Sequence, residues 1–274
     1  MSYIINVFDP KEWDLKFDST FYPTKPKKCQ TLKKWSEDNG ADLTSNLCFF
    51  NFMSSRALPG YTIQYLRIPR LGGDCGYGSN STTELITLPN GDTVSGWSAT
   101  KQPAIRNNQL IYNPVRDYRA KNAIGRTLRG KFFIMQCSGV TQAAAAKHVI
   151  NFLNKRHNDG VSLMVWEDGG GSVGTYSSRA KTLYAPLREG TNGRSVCSVF
   201  CATRKSSAPK ITRTLKKGMF GSDVMLLQMI IGCVEADGVF GAGTRNQVKK
   251  VQKNLGLTAD GIVGPATLKA LKLG

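Results

Sequence analysis

Two hydrophobic rhythms divide the chain. Over residues 1–204 apolar positions come in short runs or alternate with polar ones, whereas from residue 211 onward they fall at helical spacing. The first rhythm predicts strands at Tyr3–Phe8, Leu47–Phe52, Tyr61–Ile68, Gln109–Tyr112, Lys131–Gln136, Val161–Trp166 and Ser195–Thr203. Asn90-Gly91 between the arms of Leu85–Val94 predicts a hairpin. Helices are expected at Thr31–Asp38, closed by Asn39-Gly40, and at Thr141–Arg156. In the second, Thr141 can cap, four alanines favour the helix, and Val149, Phe152 and Leu153 form the apolar side. Strands outnumber helices, so residues 1–204 are expected to form an α+β domain.

Residues 205–210 are polar, contain Pro209 and read as a linker to a small all-α domain over 211–274. There, Val224, Leu227, Gln228 and Ile231 follow Ser222-Asp223 on one helical face. Val248, Val251 and Leu255 follow Thr244, with Gly256 ending that helix, and Leu268, Leu271 and Leu273 follow Pro265. Ala236-Asp237-Gly238-Val239-Phe240-Gly241-Ala242-Gly243-Thr244 recurs 23 residues later as Ala259-Asp260-Gly261-Ile262-Val263-Gly264-Pro265-Ala266-Thr267. Each copy reads as a turn, an apolar pair expected in the core, a second turn and a helix start, with the Thr at an N-cap or in the first turn. On this repeat, Ile211–Gly274 resembles the peptidoglycan-binding domain family, a three-helix module. The resemblance implies that the rest of the chain is delivered to peptidoglycan.

The formal charge of +18 divides into +6 over residues 209–274 and +12 before them. Basic surfaces seek phosphate polymers, and the C-terminal resemblance selects anionic polymers of the Gram-positive wall over nucleic acid, for which no zinc-finger spacing or arginine-rich arm is present. Seven cysteines (29, 48, 75, 137, 197, 201 and 233) form no Cys-x-x-Cys pair, so reduced, packed thiols are expected, Cys197 and Cys201 included. The N-terminus lacks a secretory pattern and no apolar run approaches 18 residues, so no membrane insertion is expected. A wall-binding protein without an export signal suits a phage lysis enzyme. It would accumulate in the host cytoplasm, act as a monomer, and reach the wall after release.

Candidate chemistry centres on Asp168-Gly169-Gly170-Gly171-Ser172, at the exit of an apolar strand. Consecutive glycines admit a ligand close to the backbone. Asp168 can serve there as acid, base, nucleophile or metal ligand, and Ser172 can donate a hydrogen bond. In order along the chain stand Thr44-Ser45-Asn46-Leu47-Cys48-Phe49-Phe50, Gly125-Arg126-Thr127 before a strand, Ser138-Gly139-Val140-Thr141, Asp168 to Ser172, and Arg194-Ser195-Val196. This series, over roughly Thr31–Thr203, resembles the phosphodiester glycosidase family, which includes the N-acetylglucosamine-1-phosphodiester α-N-acetylglucosaminidases. The sequence departs from the family at Leu47 and Cys48, where glycines are usual, and at Trp166-Glu167, where Asn-Leu is usual.

The resemblance implies cleavage of a glycosidic or sugar-1-phosphodiester bond in peptidoglycan or its attached teichoic acid. Arg126 and Arg194 would neutralise phosphate, and Asp168, with Glu167 beside it, would stabilise or attack the sugar carbon. Asn46, Gly169, Gly170, Gly171, Ser172, Asp74 in a second glycine-rich loop, and Trp166 as a stacking face would bind substrate. No cofactor is implied; a divalent cation such as Ca²⁺ at the Asp-glycine loop stays open, without a full ligand set. The alternatives are a Cys-His peptidase or amidase, using Cys48 or Cys75 with His148 or His157, and a non-catalytic wall-binding protein. A zinc amidase is disfavoured, because the chain has two histidines.

Overall fold

Alternation sorts the strands of the first domain into two stacked sheets. A computed structural model of the chain describes residues 2–19, 29–47, 51–53, 56–58, 66–68, 73–75, 81–98, 100–111, 118–167, 169–185, 195–233 and 235–274. The strands are β1 (Ser2–Phe8), β2 (Trp13–Ser19), β3 (Leu43–Asn46), β4 (Asn51–Met53), β5 (Arg56–Leu58), β6 (Leu66–Ile68), β7 (Gly73–Cys75), β8 (Ser81–Thr87) and β9 (Thr93–Trp97). They continue with β10 (Ile105–Arg106), β11 (Gln109–Leu110), β12 (Lys121–Thr127), β13 (Phe132–Ser138), β14 (Val161–Trp166), β15 (Thr175–Ser177), β16 (Thr182–Tyr184) and β17 (Ser198–Arg204). The helices are α1 (Leu32–Asn39), α2 (Gln142–Phe152), α3 (Ser222–Ile231), α4 (Ala242–Asn254) and α5 (Pro265–Ala270).

One sheet has the order β1-β13-β12-β14-β10-β11 and the other β16-β15-β3-β17-β2, with antiparallel pairing throughout. Smaller sheets, β4-β5 and β7-β6-β9-β8, are inserted between β3 and β10. Period-two alternation gives the long inner strands of the larger sheet two buried faces, while edge strand β11 is exposed. Ile5, Val7, Phe133, Met135, Met164 and Trp166 meet α2 through Val149, Phe152 and Leu153. Ile4, Phe8, Ile124, Phe132, Ile134 and Val165 meet Leu15, Phe17, Leu43, Phe200 and Ala202 of the second sheet. Leu32 and Trp35 of α1 cover that sheet's outer side at Val199 and Cys201. The layers therefore run α2, sheet, sheet, α1.

The caps follow the sequence. Thr31 accepts from Lys34 N and Thr141 from Ala144 N, each at 3.2 Å, satisfying first-turn amides. Past Phe152 the helix widens into a π-helical turn over Leu153–His157. Several expectations are corrected. Leu47–Phe52 is not one strand: β3 ends at Asn46, β4 begins at Asn51, and 48–50 lie outside the described residues. Gly125-Arg126-Thr127 does precede a strand, β13, but is itself the end of β12, which was not expected. Cys29 and Cys197 are joined by a disulfide with a Cα–Cα separation of 4.5 Å, where packed thiols were expected, because the Gln30↔Val196 bridge brings the two segments together. Cys137, Cys201 and Cys233 are buried thiols outside the disulfide, and burial pushes the Cys137 and Cys233 thiols up to about 12. No helix among the described residues is long and apolar enough to cross a membrane.

The C-terminal helices share one wiring scheme, used twice. Gln228 donates from Nε2 to Asp237 Oδ1 (2.9 Å), Val239 O (3.1 Å) and Thr244 Oγ1 (3.0 Å), and accepts from Gly238 N at 2.8 Å. Gln252 does the same with Asp260 Oδ1 (2.8 Å), Ile262 O (2.9 Å), Thr267 Oγ1 (3.2 Å) and Gly261 N (2.9 Å). Thr244 and Thr267 are thus buried first-turn residues, while glycines occupy the N-cap positions of α3, α4 and α5. The apolar pairs are split. Phe240 and Val263 are fully buried, but Val239 and Ile262 are 44% and 40% exposed, since neighbours in an extended segment face opposite ways.

This module is docked against the sheets. The Tyr184 hydroxyl accepts from Asn6 Nδ2 (3.2 Å) and donates to Met229 O (3.1 Å). Glu235 N donates to Tyr3 O at 3.1 Å, and Asn254 Nδ2 to Thr182 Oγ1 at 3.1 Å. His148 stacks on Tyr3 at 3.8 Å, and its Nε2 lies 3.1 Å from Glu235 Oε1. Segment 205–210 is itself tied down: Lys205 Nζ donates to Pro10 O and Arg204 Nη2 to Pro209 O, both at 2.7 Å.

Candidate functional site

The interface between the two sheets is apolar along most of its length and polar where β14 runs out. Asn122 on β12 and Gln136 on β13 face the second sheet, on the same side as apolar Ile124 and Ile134. Ser45 and Asn46 close β3, and Thr175 opens β15 opposite them. Each of these five side chains is at most 2% exposed.

Their hydrogen bonds form one chain. Asn122 Nδ2 donates to Asn46 O at 2.6 Å, and Gly174 N to Asn46 Oδ1 at 3.1 Å. Gln136 Nε2 donates to Gly174 O at 3.0 Å. Thr175 Oγ1 gives its single proton to Gln136 Oε1 at 3.1 Å, which makes Ser45 Oγ the donor in the 2.6 Å contact between the two hydroxyls. Asn46 Nδ2 and Asn122 Oδ1, one donor and one acceptor, are buried without a hydrogen-bond partner among the described residues. Such orphans are uncommon in folded proteins, because each forfeits its hydration.

The glycine loop borders this seam. Glu167, 4% exposed, follows β14 and donates its backbone N–H to Asn122 O at 2.8 Å. A Cβ on Gly169 would stand 2.6 Å from the Ala120 carbonyl oxygen, so only glycine lets the chain pass there. Gly170 turns at φ +65° and donates its N–H to that same oxygen at 2.8 Å. Ser172 is 3% exposed. The glycines thus carry a structural role: they fold the chain back against β12.

Glu167, Ser172, Asn46 and the glycines accordingly lie along one seam. Asp168 and Arg194 lie outside the described residues, as does Cys48. Asp74 lies in β7, paired with Arg67 of β6, and its side chain is outside the described set, as is that of Cys75. Two expectations are corrected. Trp166 is no stacking face: it is 4% exposed and packs in the core under α2, because alternation along β14 turns it from the seam. Arg126 is exposed and pairs in register with Leu163, whereas Trp166 pairs with Ala123. In antiparallel pairing β12 runs away from the exit of β14, so Arg126 stands about 10 Å along the strand from the glycine loop. Asn122, Gln136 and Thr175 escape motif reading, and Ser45 falls in a motif without a role assigned to it; their signal is a polar side chain at an inward position of a buried strand.

The two histidines are placed apart from the seam. His148 joins the domains, and His157, at the end of the π-turn, is driven down to about 4 by burial and by Lys131. Among the described residues no three His, Cys, Asp or Glu side chains converge to hold a metal ion.

Comparison with known proteins bears on the two parts differently. Residues 221–271 match the family model described as putative peptidoglycan binding domain. A curated relative named probable N-acetylmuramoyl-L-alanine amidase, from Bacillus licheniformis, is 34% identical over 113 residues, covering 39% of this chain. The chain spans only 30% of that relative's length. Among solved structures, the catalytic domain of zebrafish N-acetylglucosamine-1-phosphodiester alpha-N-acetylglucosaminidase, auto-inhibited by its pro-peptide, aligns at 12% identity and a TM-score of 0.44. That alignment covers 75% of this chain and 84% of that one. A peptidoglycan-binding protein from Clostridioides difficile in complex with glutamine hydroxamate aligns at 25% identity and a TM-score of 0.23, over 45% of this chain and 82% of that one.

Proposed function

We propose that the chain is a bacterial cell-wall hydrolase whose C-terminal module binds peptidoglycan and whose two-sheet domain cuts a glycosidic or sugar-1-phosphodiester bond in it or in attached teichoic acid. The observation that carries the reading is the match of residues 221–271 to the peptidoglycan-binding family, in a module packed against a domain with a buried polar seam. The ordered motifs from Asn46 to Arg194 support the choice of bond. Asp168 is the proposed carboxylate at the reacting carbon, and Glu167 supports it from the seam. Asn46 and Ser172 position the sugar, and Arg194 neutralises phosphate. Arg126, at the far end of β12, is dropped from this set.

A second reading, cleavage of the amide between sugar and peptide, is favoured by the name of the Bacillus licheniformis relative. Mass spectrometry of fragments released from purified Gram-positive walls separates the two. New reducing ends or phosphate-terminated teichoic acid support the glycosidase, and new free amines support the amidase. Asp168→Asn is expected to abolish release and leave wall sedimentation intact; undiminished release removes Asp168 from the mechanism.

A further inference from the structure

A groove of about 610 Å³ opens between the two domains, away from the glycine loop, with walls of opposite character. The module contributes Phe220 and Val239, joined by a backbone bridge and 75% and 44% exposed, backed by Met225 and Leu226. An aromatic ring that exposed, on a shelf of apolar side chains beside Gly221 and Gly238, offers a flat apolar face that no described residue covers.

The sheet domain contributes cations from the π-helical turn and neighbouring strands: Lys155, Arg156, Lys131 and Arg204. The acids of the groove are already engaged. Asp9 lies 4.0 Å from Lys131, Glu12 lies 2.9 Å from Arg204, and Asp237 accepts from Gln228. Lys155 and Arg156 have no ion pair among the described residues, so this wall keeps a positive excess. His157, lining the same wall, is neutral near pH 7 and adds no charge.

We propose that this interdomain groove is a binding site for a peptidoglycan strand, with a sugar ring stacked on Phe220 and stem-peptide carboxylates held by Lys155 and Arg156. A flat apolar face opposite a cationic edge matches a polymer that alternates pyranose faces with free carboxylates. A polyol phosphate chain has charge to offer but no ring face to stack. The identity of the polymer rests on the reading in the preceding subsection. Because both domains contribute, the module alone would hold half a site, and the strand would be bound in a fixed direction relative to the sheets.

The test is sedimentation of the full-length protein with purified walls, before and after acid removal of teichoic acid. Phe220→Ala and the double variant Lys155→Glu/Arg156→Glu are compared with Lys250→Glu, an exposed reversal on α4 outside the groove. Phe220→Ala and the double reversal are each expected to weaken binding to both wall preparations about ten-fold, with Lys250→Glu near wild type. Wild-type affinity in either groove variant overturns the site. A loss seen only on intact walls assigns the groove to teichoic phosphate and overturns the peptidoglycan occupant. Equal weakening by Lys250→Glu reduces the effect to diffuse charge and also overturns it. Fragment release, followed in parallel, separates this proposal from the enzymatic one: a wild-type protein that sediments and releases nothing sinks the hydrolase and leaves the groove standing.

Discussion

Single side chains hold the C-terminal module together. Gln252 makes four hydrogen bonds to one turn and one helix entrance while 1% exposed. Gln252→Leu keeps the volume but strands the buried Thr267 hydroxyl and Gly261 N–H, while exposed Asp260 keeps its bond from Ile262 N. The expected cost is about 3 kcal/mol, read from urea melts; a loss below about 1 kcal/mol would show that water replaces the glutamine. The 23-residue repeat was plain in the sequence, but its glutamines stand outside the repeated nine residues and at an offset of 24, so their role was not. Turn chemistry is local and legible; a partner eight to eleven residues away is a property of packing. His157 supplies a second prediction at this scale. Its folded value of about 4 lies below the unfolded 6.5, so between these pH values the unfolded chain takes up a proton that the folded chain refuses. Stability present above pH 6.5 is therefore lost as pH falls toward 4, by about 2 kcal/mol after allowance for partial exposure. His157→Gln should flatten that part of the stability–pH curve; an unchanged slope would assign it to other groups.

Elements place the seam, and most were visible as patterns. The strand at Tyr3, the helix from Thr31, the cap at Thr141, the hairpin at Asn90-Gly91 and the apolar strand into the glycine loop follow from local pattern and residue type. Strand β2 alternates strictly from Trp13 to Phe17 yet stands between polar turns, where its pattern is easily passed over. Pairing cannot be read from one segment. The antiparallel fit of β12 on β14 sends Arg126 away from the loop and brings Asn122 to it, and the disulfide likewise depends on two distant segments meeting. The glycine loop stands out in the sequence, and packing against β12 is what its Gly169 answers to. Gly169→Ala pushes a methyl against the Ala120 carbonyl, so the loop must leave β12. The expected outcome is about 2 kcal/mol of stability and at least about a ten-fold loss of wall hydrolysis. Gly170→Ala meets no atom within 4 Å and suffers only its positive φ, about 1 kcal/mol. The reverse ranking in melting and turnover assays would mean that the loop's backbone serves ligand rather than fold.

At the scale of the molecule, the two hydrophobic rhythms predict two domains, and nothing in either rhythm says that they form one body. One apolar cluster runs from Phe8 and Phe200 through Tyr184 to Ile230, Phe240 and Val263. Tyr184 is the hinge of this continuity: it lies beneath the Gly232 turn at the end of α3, bonded to Asn6 on one side and to the Met229 carbonyl on the other. Burial and the neighbouring Cys233 thiol raise its phenol further above its ordinary value, so it stays a neutral donor over the whole working range of pH. Cooperative unfolding follows if this contact carries enough area, since neither domain can open without exposing the other's core. Calorimetry of the wild type should give one transition. Gly232→Ala places a methyl against the Tyr184 ring and strains a φ of +72°, so it should split the trace into two transitions with the module melting first. Tyr184→Phe keeps the ring and loses only the bridge, costing about 1 kcal/mol without splitting. Two transitions in the wild type would mean that the domains merely touch, and a groove walled by both would then have no fixed shape to offer a polymer.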